Sequence, residues 1–396
     1  MNDTLRQATS FDDAAVEVNE PGTTPQFLLR MPEHTLDARG CRACLPRGGT
    51  RTLAARAQAF FASPQQGPAL LVGMLPFDPA ADDALHQPQW LATAATDSVA
   101  PPLFRGEVCA EPSAAVYADA VEQALQALRG QPAALAKVVL ARTLRVQATA
   151  PLDPRELAAR LGRDPSVTTY LMPLPVAGSE APAWLVGASP ELLVSRRGRQ
   201  VLSHPLAGSA RRCTDPADDA RAAQALLASG KDHDEHRHVV EAIVDALAPW
   251  CTHIDAPSRP TLHATQSMWH LGTRIEATLR DSATPVATLL AALHPTPAVC
   301  GTPRGVALDM IRSLEPVPRG FYAGAVGWMD AQGDGDWYVA IRCARVQGMQ
   351  ARIFAGAGIV AGSEPALEVA ETAAKFTALL TALGADAAPL TDSRRS

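Results

Sequence analysis

Apolar residues recur at three- and four-residue intervals in three segments of the chain. This spacing predicts helices over 115–129, near 232–248 and from about 365 to 383. Gly130 is expected to end the first helix, and Pro365 suits the first turn of the last one.

Other segments have the hydrophobic pattern of β-strands. The apolar run 137–146 shows little polar alternation, which is typical of a strand covered on both faces. Glu191–Arg196 and Val201–Leu206 flank the turn 197–199, so a hairpin is predicted, and several strands are expected within 320–360. Because strands are scattered among helices, the pattern predicts an α+β fold, with one domain around a large sheet.

The two ends of the chain lack these patterns. Residues 1–25 are polar and acidic and end in Pro21-Gly22, so we predict a disordered N-terminal segment. Residues 385–396 resemble a flexible tail. No repeat or linker interrupts residues 26–384, which are predicted to form one domain.

Composition narrows the class of protein. The 396 residues are 47% hydrophobic and 19% charged, and the net charge of −6 gives no support to nucleic-acid binding. No stretch approaches 18 consecutive apolar residues, and the N-terminus lacks the order of a signal peptide. A soluble cytoplasmic protein without a membrane partner is expected. No dimerising heptad is visible, so a monomer is expected.

The chain contains seven cysteines, an odd number in a chain too large to need disulfides. Reduced thiols are therefore the simplest interpretation. Cys41 and Cys44 form a C-x-x-C, but no second pair lies at zinc-ribbon spacing. We interpret this motif as a coincidence, with a metal or redox role as the alternative.

Charged residues on the last predicted helix could hold a metal ion or could merely face solvent. Glu368, Glu371 and Lys375 are spaced at i, i+3 and i+7 and so share one face. Carboxylate oxygens are ligands that Mg²⁺ prefers, although a solvated stripe has the same spacing. The preceding segment 356–362 is glycine-rich and could be a loop whose N–H groups bind an anion. Its glycines lack the spacing of a dinucleotide-binding motif.

A charged run opens the middle helix, with the sequence KDHDEHRH over 231–238. Glu235 lies one turn before Val239, so its side chain can point inward with the apolar stripe. A buried carboxylate requires a partner or a metal. Three interpretations stay open here: an exposed charged cluster, Glu235 as a ligand of a hard metal, and a zinc site at the histidines, although H-E-x-x-H is absent.

Two single charges lie at the edges of apolar segments. Lys137 begins the apolar strand, and Glu191 begins one arm of the hairpin. Each could be an ordinary strand-end charge. Because burial disfavours the charged form of both side chains, the pair could instead supply a base and an acid.

Taken together, these segments resemble the chorismate-utilising enzymes, a family that includes isochorismate, anthranilate, aminodeoxychorismate and salicylate synthases. The resemblance covers roughly residues 65–380. It rests on the order and spacing of GPALLVGMLPFDP (67–79), KVVLART (137–143), GASPELLV (187–194), HPLAGSARR (204–212), KDHDEHRHVV (231–240), HPTPAVCGTP (294–303), FYAGAVGWMDAQGDGDWYVAIRCARV (321–346) and GAGIVAGSEPALEVAETAAK (356–375).

The resemblance implies a fold, a cofactor and a site. The implied fold is a large antiparallel β-sheet core wrapped by helices, with chorismate bound in a cleft of a single catalytic domain. Lys137 and Glu191 would be the catalytic base and acid. The cofactor would be Mg²⁺, with ligands Glu235, Glu368 and Glu371. The implied substrate-binding residues are Gly208, Ser209, Ala298, Arg342, Gly358 and Lys375.

One segment distinguishes branches of the family. Amine-forming members carry a lysine within P-I-K-G-T, where this chain has Ala207 within PLAGS. With HPTPAVCG at 294–301, this favours the isochorismate synthases, isomerases that add water at ring C2 and release the C4 hydroxyl. The alternatives are a salicylate synthase and a non-catalytic member that binds chorismate. The pathway served, whether siderophore, menaquinone or salicylate biosynthesis, is not predicted.

Overall fold

The computed structural model describes residues 27–64, 66–93, 101, 104–130, 134–175 and 182–385. The predicted disorder of residues 1–25 lies outside these ranges, as does the predicted tail over 385–396 except for its first residue. Within them, one 3₁₀ turn spans Thr50–Thr52, and the helices are α1 Leu53–Ala62, α2 Ala114–Gly130, α3 Pro154–Leu161, α4 Pro216–Ala228, α5 Gly230–Leu247, α6 Val286–Leu293, α7 Arg304–Leu314 and α8 Pro365–Leu383.

The strands follow in chain order. They are β1 Phe27–Arg30, β2 Thr35–Arg39, β3 Ala43–Cys44, β4 Leu70–Leu75, β5 Ala84–Gln87, β6 Trp90–Ala92, β7 Gly106–Glu111, β8 Lys137–Ala148, β9 Thr168–Leu174, β10 Ala183–Ser189, β11 Leu192–Arg197, β12 Gln200–His204, β13 Leu206–Arg211, β14 Cys251–Asp255, β15 Thr261–Ala264, β16 Met268–Gly272, β17 Ile275–Leu279, β18 Gly301–Thr302, β19 Ala325–Asp330, β20 Gly335–Val339, β21 Cys343–Gln347 and β22 Gln350–Ile359.

These strands form two large sheets and one small one. The first has ten strands in the order β18-β8-β22-β21-β10-β9-β1-β2-β6, with β7 also paired to β8. The second has nine strands in the order β14-β17-β12-β11-β20-β19-β4-β5-β3, and the small sheet is β13-β16-β15. Every strand pair among the described residues is antiparallel. The predicted α+β class is confirmed, and its antiparallel core is divided between sheets.

Successive side chains of the strands in the ten-stranded sheet point to opposite faces and pack into two different hydrophobic cores. In β9, Tyr170 and Met172 join a core shared with the nine-stranded sheet, whereas Leu171 faces a second core. Leu185 and Val186 divide in the same way on β10. Since successive side chains of a strand point to opposite faces, α3 and α8 can cover the outer face.

Helix ends carry the signals expected from the sequence. Pro365 occupies the first turn of α8, and Gly384 follows its last residue with a φ of 80°. The Ser229 hydroxyl accepts a hydrogen bond from the Asp232 N–H and caps α5. The prediction for the last helix is confirmed at both ends, and the first two predicted helices are confirmed within a few residues.

Two sequence interpretations need correction. The predicted hairpin exists, but its second arm ends at His204, and a new strand in the small sheet begins at Leu206. The glycine-rich segment is not a loop at its start, because Gly356 and Gly358 belong to β22 and pair with β8. Only residues 360–364 connect this strand to the last helix.

Two neighbouring chain segments cross from one large sheet to the other at the same place. β10 continues into β11 through Pro190-Glu191, and β20 continues into β21 through 340–342. The Val339 N–H donates to the Glu191 carbonyl, and the Ala188 N–H donates to the Arg342 carbonyl. The two crossovers are therefore held side by side. Across the described ranges, no helix has the length and apolarity needed to span a membrane.

Candidate active site

A cavity of about 60 Å³ lies at the two crossovers, against β13, β22 and α5. We call it the inner cavity. Of the predicted site residues, its wall contains Glu191, Gly208, Ser209, Glu235, Ala298, Arg342, Gly358 and Lys375. The other three, Lys137, Glu368 and Glu371, are absent from that wall. Lys137 and Glu371 pair with the wall residues Glu235 and Lys375, and Glu368 pairs with Lys231.

The crossovers place Glu191 and Arg342 between the sheets. Glu191 is 3% exposed and Arg342 is 8% exposed, so both ionisable groups are almost removed from water. Arg342 has a φ of 51°, the left-handed region that non-glycine residues rarely adopt. The tight crossover therefore imposes an unusual backbone on a residue whose side chain enters the cavity.

Burial raises the pKa of Glu191 to about 8, although nearby Lys137 and a hydrogen bond from the Leu206 N–H act in the opposite direction. Burial also lowers the pKa of Arg342 to about 10, against the opposing effect of Glu371. At neutral pH, Glu191 is mainly protonated and Arg342 mainly charged. The cavity therefore offers a proton donor and a fixed cation.

Lys137 lies at the start of β8 and is fully buried. Its Nζ is 3.1 Å from Oε1 of Glu235, close enough for an ion pair. Nζ has no other acceptor among the described residues. Because the amine of Lys137 is not fixed by a second acceptor, it can turn towards a reacting group.

Gly358 leaves the space that this pair occupies. A Cβ at position 358 would lie 2.0 Å from Oε1 of Glu235 and 3.1 Å from Cε of Lys137. Its N–H is not bound to β8, because the opposite residue, Val139, uses its own N–H and carbonyl for Cys300 and Arg319. Gly358 itself lines the cavity. An anion in the cavity can therefore approach the Gly358 backbone.

Three carboxylates of the site are each paired with a lysine. Besides Lys137 and Glu235, Lys231 Nζ donates to Glu368 Oε1 at 2.8 Å. The third pair is Lys375 with Glu371, joined at 2.6 Å. Lys375 also donates to the Gly356 carbonyl, at 2.8 Å. The site is thus close to neutral without any ligand.

The pKa shifts of Glu235 and Glu368 have opposite directions. Burial would raise the pKa of Glu235, but Lys137, Lys231 and Lys375 lower it overall. Burial and the neighbouring Glu371 raise the pKa of Glu368 to about 7, although Lys231 and Ser363 oppose this. Glu368 Oε2 is buried and accepts no hydrogen bond of acceptable geometry within the described ranges. Apart from the nearby Ser363 hydroxyl, this oxygen has no polar partner of the kind a buried carboxylate requires.

These donors fit a hard divalent cation in their chemistry. Glu235, Glu368 and Glu371 supply only oxygen atoms, and Oε2 of Glu368 is available to coordinate one. However, no three acidic, histidine or cysteine side chains in the described ranges already converge on one point. A cation would therefore take the place of lysine ammonium groups.

The zinc interpretation of the charged run finds no support in the histidine positions. His233 contacts the Leu227 carbonyl, whereas His236 contacts the Thr273 hydroxyl. Of the run, Glu235 and His236 are buried, while Asp234 and Arg237 form an exposed ion pair. The exposed-cluster interpretation therefore describes part of the run, and Glu235 points inward as the periodicity predicts.

His270 is a site residue that the sequence reasoning missed. It lies opposite Ser209 in the β13–β16 pair, and its Nδ1 is 2.9 Å from the Ser209 hydroxyl. Its Nε2 is 3.2 Å from a guanidinium nitrogen of Arg342. Burial and the charge of Arg342 hold the pKa of His270 well below its usual range. Since Arg342 can only donate, Nδ1 carries the proton and donates to Ser209, whose own hydrogen is left for the cavity.

Small residues form the side of the cavity made by β13. Ala207 and Gly208 line it, and the φ of Gly208 is 80°. A Cβ at position 208 would lie 2.9 Å from Cβ of Asp232 on α5. Ala298 lines the same cavity. No amine or thiol therefore projects from β13 into this part of the site.

Replacement of Gly358 by alanine should lower turnover at least about tenfold, because the added Cβ displaces Glu235 from Lys137. Gly362→Ala is the matched control, since its Cβ would meet only Lys231 carbon atoms at 3.8 and 3.9 Å. Steady-state rates and thermal unfolding of both variants check this. Equal rates in a folded Gly358→Ala variant would contradict the crowded geometry.

Comparison with known proteins identifies the family to which the chain belongs. Residues 77–384 match the family described as chorismate binding enzyme. The isochorismate synthase DhbC of Bacillus subtilis is 40% identical over 383 residues, which cover 93% of this chain and 95% of that protein. The isochorismate synthase EntC of Escherichia coli K12 is 38% identical over 325 residues. The aligned region covers 80% of this chain and 81% of that protein.

A solved structure has the same fold. The putative 2,3-dihydroxybenzoate-specific isochorismate synthase DhbC from Bacillus anthracis superposes with a TM-score of 0.86 at 38% identity. The superposed region covers 91% of this chain and 97% of that structure. These values show a shared architecture over nearly the whole length of both proteins.

Proposed function

The chain belongs to the chorismate-binding enzymes, and we propose that it is an isochorismate synthase that interconverts chorismate and isochorismate. One structural observation carries this proposal. The protonated Glu191 shares a cavity with the methyl group of Ala207, where amine-forming relatives would carry a lysine nucleophile. The site can therefore protonate a departing hydroxyl and has space for a water molecule.

The reaction needs a base and an acid on either side of the ring. Lys137, in its neutral form, takes a proton from the water that attacks C2. Glu191 gives its proton to the C4 hydroxyl, which leaves as water while both double bonds of the ring shift by one position. Lys137 and Glu191 are close enough for the lysine charge to affect the pKa of Glu191. Because the reaction is reversible, these two roles exchange in the opposite direction.

Two groups in the cavity can fix the enolpyruvyl carboxylate. Arg342 is a buried cation, and Gly358, whose N–H is not bound to β8, lines the cavity. A carboxylate between them would accept charge-assisted hydrogen bonds. The Ser209 hydroxyl and the Lys375 ammonium lie in the same wall and can orient the rest of the substrate. Such positioning supplies much of the rate in an isomerisation.

The proposal includes Mg²⁺ as the cofactor, with Glu235, Glu368 and Glu371 as the residues that would hold it. Oε2 of Glu368, which accepts no hydrogen bond of acceptable geometry within the described ranges, and the raised pKa of that carboxyl support the assignment. A bound Mg²⁺ would supply positive charge for the ring carboxylate of chorismate. The proposal also keeps the monomer and the cytoplasmic location that the sequence predicts, and light scattering checks the first.

Incubation of the purified protein with chorismate and Mg²⁺ should give isochorismate, identified by chromatography and mass spectrometry. EDTA should abolish turnover and added Mg²⁺ should restore it, because carboxylates that lose a cation leave the substrate carboxylate unneutralised. Absence of isochorismate would overturn the function. Salicylate as the main product would indicate a salicylate synthase. Full activity after exhaustive chelation would overturn the metal assignment alone.

The rate should fall as the pH rises above about 8. Glu191 must be protonated to act as the acid, and burial raises its pKa to about 8. Each further pH unit removes roughly nine-tenths of the protonated Glu191, and the rate falls in proportion once Lys137 is in its neutral form. Glu191→Gln should be slower by about 10²–10⁴ and should lack this alkaline decline. An identical alkaline decline in the wild type and in Glu191→Gln would contradict the role of Glu191.

A further inference from the structure

A second, larger cavity of about 610 Å³ adjoins the inner one. We call it the vestibule. Its wall is made by α3, the outer end of β13, the turn before β16 and the second half of α8. Pro190 and Arg342 line both cavities, so the two spaces meet at the crossovers.

The vestibule is strongly basic in a chain whose net charge is −6. Among the described residues, Asp164 is the only acidic side chain in its wall. The arginines in the same wall are Arg160, Arg163, Arg211, Arg212 and Arg342. This local excess of positive charge opposes the overall charge, so it is a property of this surface and not of the composition.

Some of these arginines are already neutralised. Arg160 is paired with Glu156, and Arg212 with Asp219. Asp164 is engaged by the N–H groups of Ser166 and Gln266.

Arg211 differs from the paired arginines. It is exposed, and its side chain has no hydrogen bond or ion pair to any described residue. It lies two positions after Ser209 on β13, and side chains two apart on a strand point to the same face. One strand therefore leads from an unpaired surface cation to a hydroxyl inside the site.

We propose that the vestibule is the capture site for the dicarboxylate substrate, with Arg211 as its first cationic contact and Arg342 as the group that receives the anion inside. This inference rests on the proposed function, because chorismate carries two carboxylates. The inner cavity holds only a few water molecules, since each needs at least about 10–15 Å³. The larger space can hold a ring with two carboxylates, and Pro190 and Arg342 lie between it and the inner cavity.

The charge of Arg211 should act on substrate capture and not on chemistry. Clefts lined by one sign of charge raise the local concentration of an oppositely charged substrate by tenfold or more, and salt screens this effect. We expect Arg211→Glu to lose about tenfold in kcat/KM at an ionic strength of about 0.02 M, with kcat unchanged. At about 0.5 M the loss should shrink to roughly twofold or less.

Arg51→Glu is the matched control, because Arg51 is exposed, makes no side-chain hydrogen bond or ion pair with any described residue and lines neither cavity. It makes the same change of charge and should leave kcat/KM within about twofold of the wild type at both ionic strengths. Equal behaviour of the two variants would overturn the inference. A loss in Arg211→Glu that is the same size at high salt would also overturn it. If the wild type makes no isochorismate, the proposed function fails instead.

Discussion

Replacement of Lys137 by methionine or by arginine should lower kcat by about 10²–10⁴. Methionine removes the base and keeps a similar volume in a position that is fully buried. Arginine is the sharper test, because it keeps the positive charge opposite Glu235 but cannot release its proton. If the residue served only as a counter-ion, arginine would preserve activity. If it is the base, both variants should be nearly inactive.

Folding must be checked, because removal of the ammonium leaves the Glu235 carboxylate buried without that partner. Breaking a buried pair in this way costs about 3–5 kcal/mol. Thermal unfolding should therefore show a lower midpoint for Lys137→Met than for Lys137→Arg. A folded arginine variant with wild-type turnover would exclude Lys137 as the base.

Ala207→Lys should nearly stop isochorismate formation. Ala207 lines the inner cavity on β13 and is 6% exposed, so a lysine there would fill the space of the attacking water. If the new amine is desolvated enough to be neutral, it attacks C2 itself. The C4 hydroxyl then takes the Glu191 proton and leaves as water, and the protein gains the mass of chorismate less one water.

Intact-protein mass spectrometry after incubation with chorismate detects this adduct, and a product assay measures the lost hydroxylation. Ala207→Ser is the control. Serine adds only one oxygen atom to the alanine side chain, so the water should stay in place and the variant should retain most of the activity. Undiminished isochorismate synthesis in Ala207→Lys would mean that residue 207 does not face the reacting carbon. The argument against amine transfer would then fail.

The last helix shows what local sequence can predict. Its bounds follow from Pro365 at its start and Gly384 after its end, both of which act through the backbone. The inward position of Glu235 also follows from a local rule, the helical periodicity of its neighbours. Features set within one or two turns of a helix are therefore readable without the fold.

The division into two sheets depends on contacts that no local pattern encodes. The crossover at Pro190-Glu191 has only two residues, and on the sequence it resembles the entrance to an ordinary hairpin arm. His270 was missed for the same reason. It reaches Ser209 only through the register of β13 and β16, which lie 61 residues apart at this pair. Nothing in its own neighbourhood marks it as a site residue.

The lysine partners were likewise only partly predictable. The spacing of Glu371 and Lys375 on one helix favours their pairing, and the structure contains that pair. Lys231 and Glu368 are 137 residues apart in sequence, and their contact exists only because α5 and α8 meet at the site. Sequence reasoning identified candidate ligands but not the ammonium groups that hold them.

Because of those three ion pairs, folding of this protein does not depend on a metal ion. Small zinc domains are unfolded without their ion, because their ligands have no other partner. Here Glu235, Glu368 and Glu371 each have an ammonium partner within the chain. If these carboxylates hold the metal ion, as proposed, the newly made chain can reach its native state without it. A cell short of the ion would then accumulate folded but inactive protein, which a returning supply of the ion would activate without new synthesis.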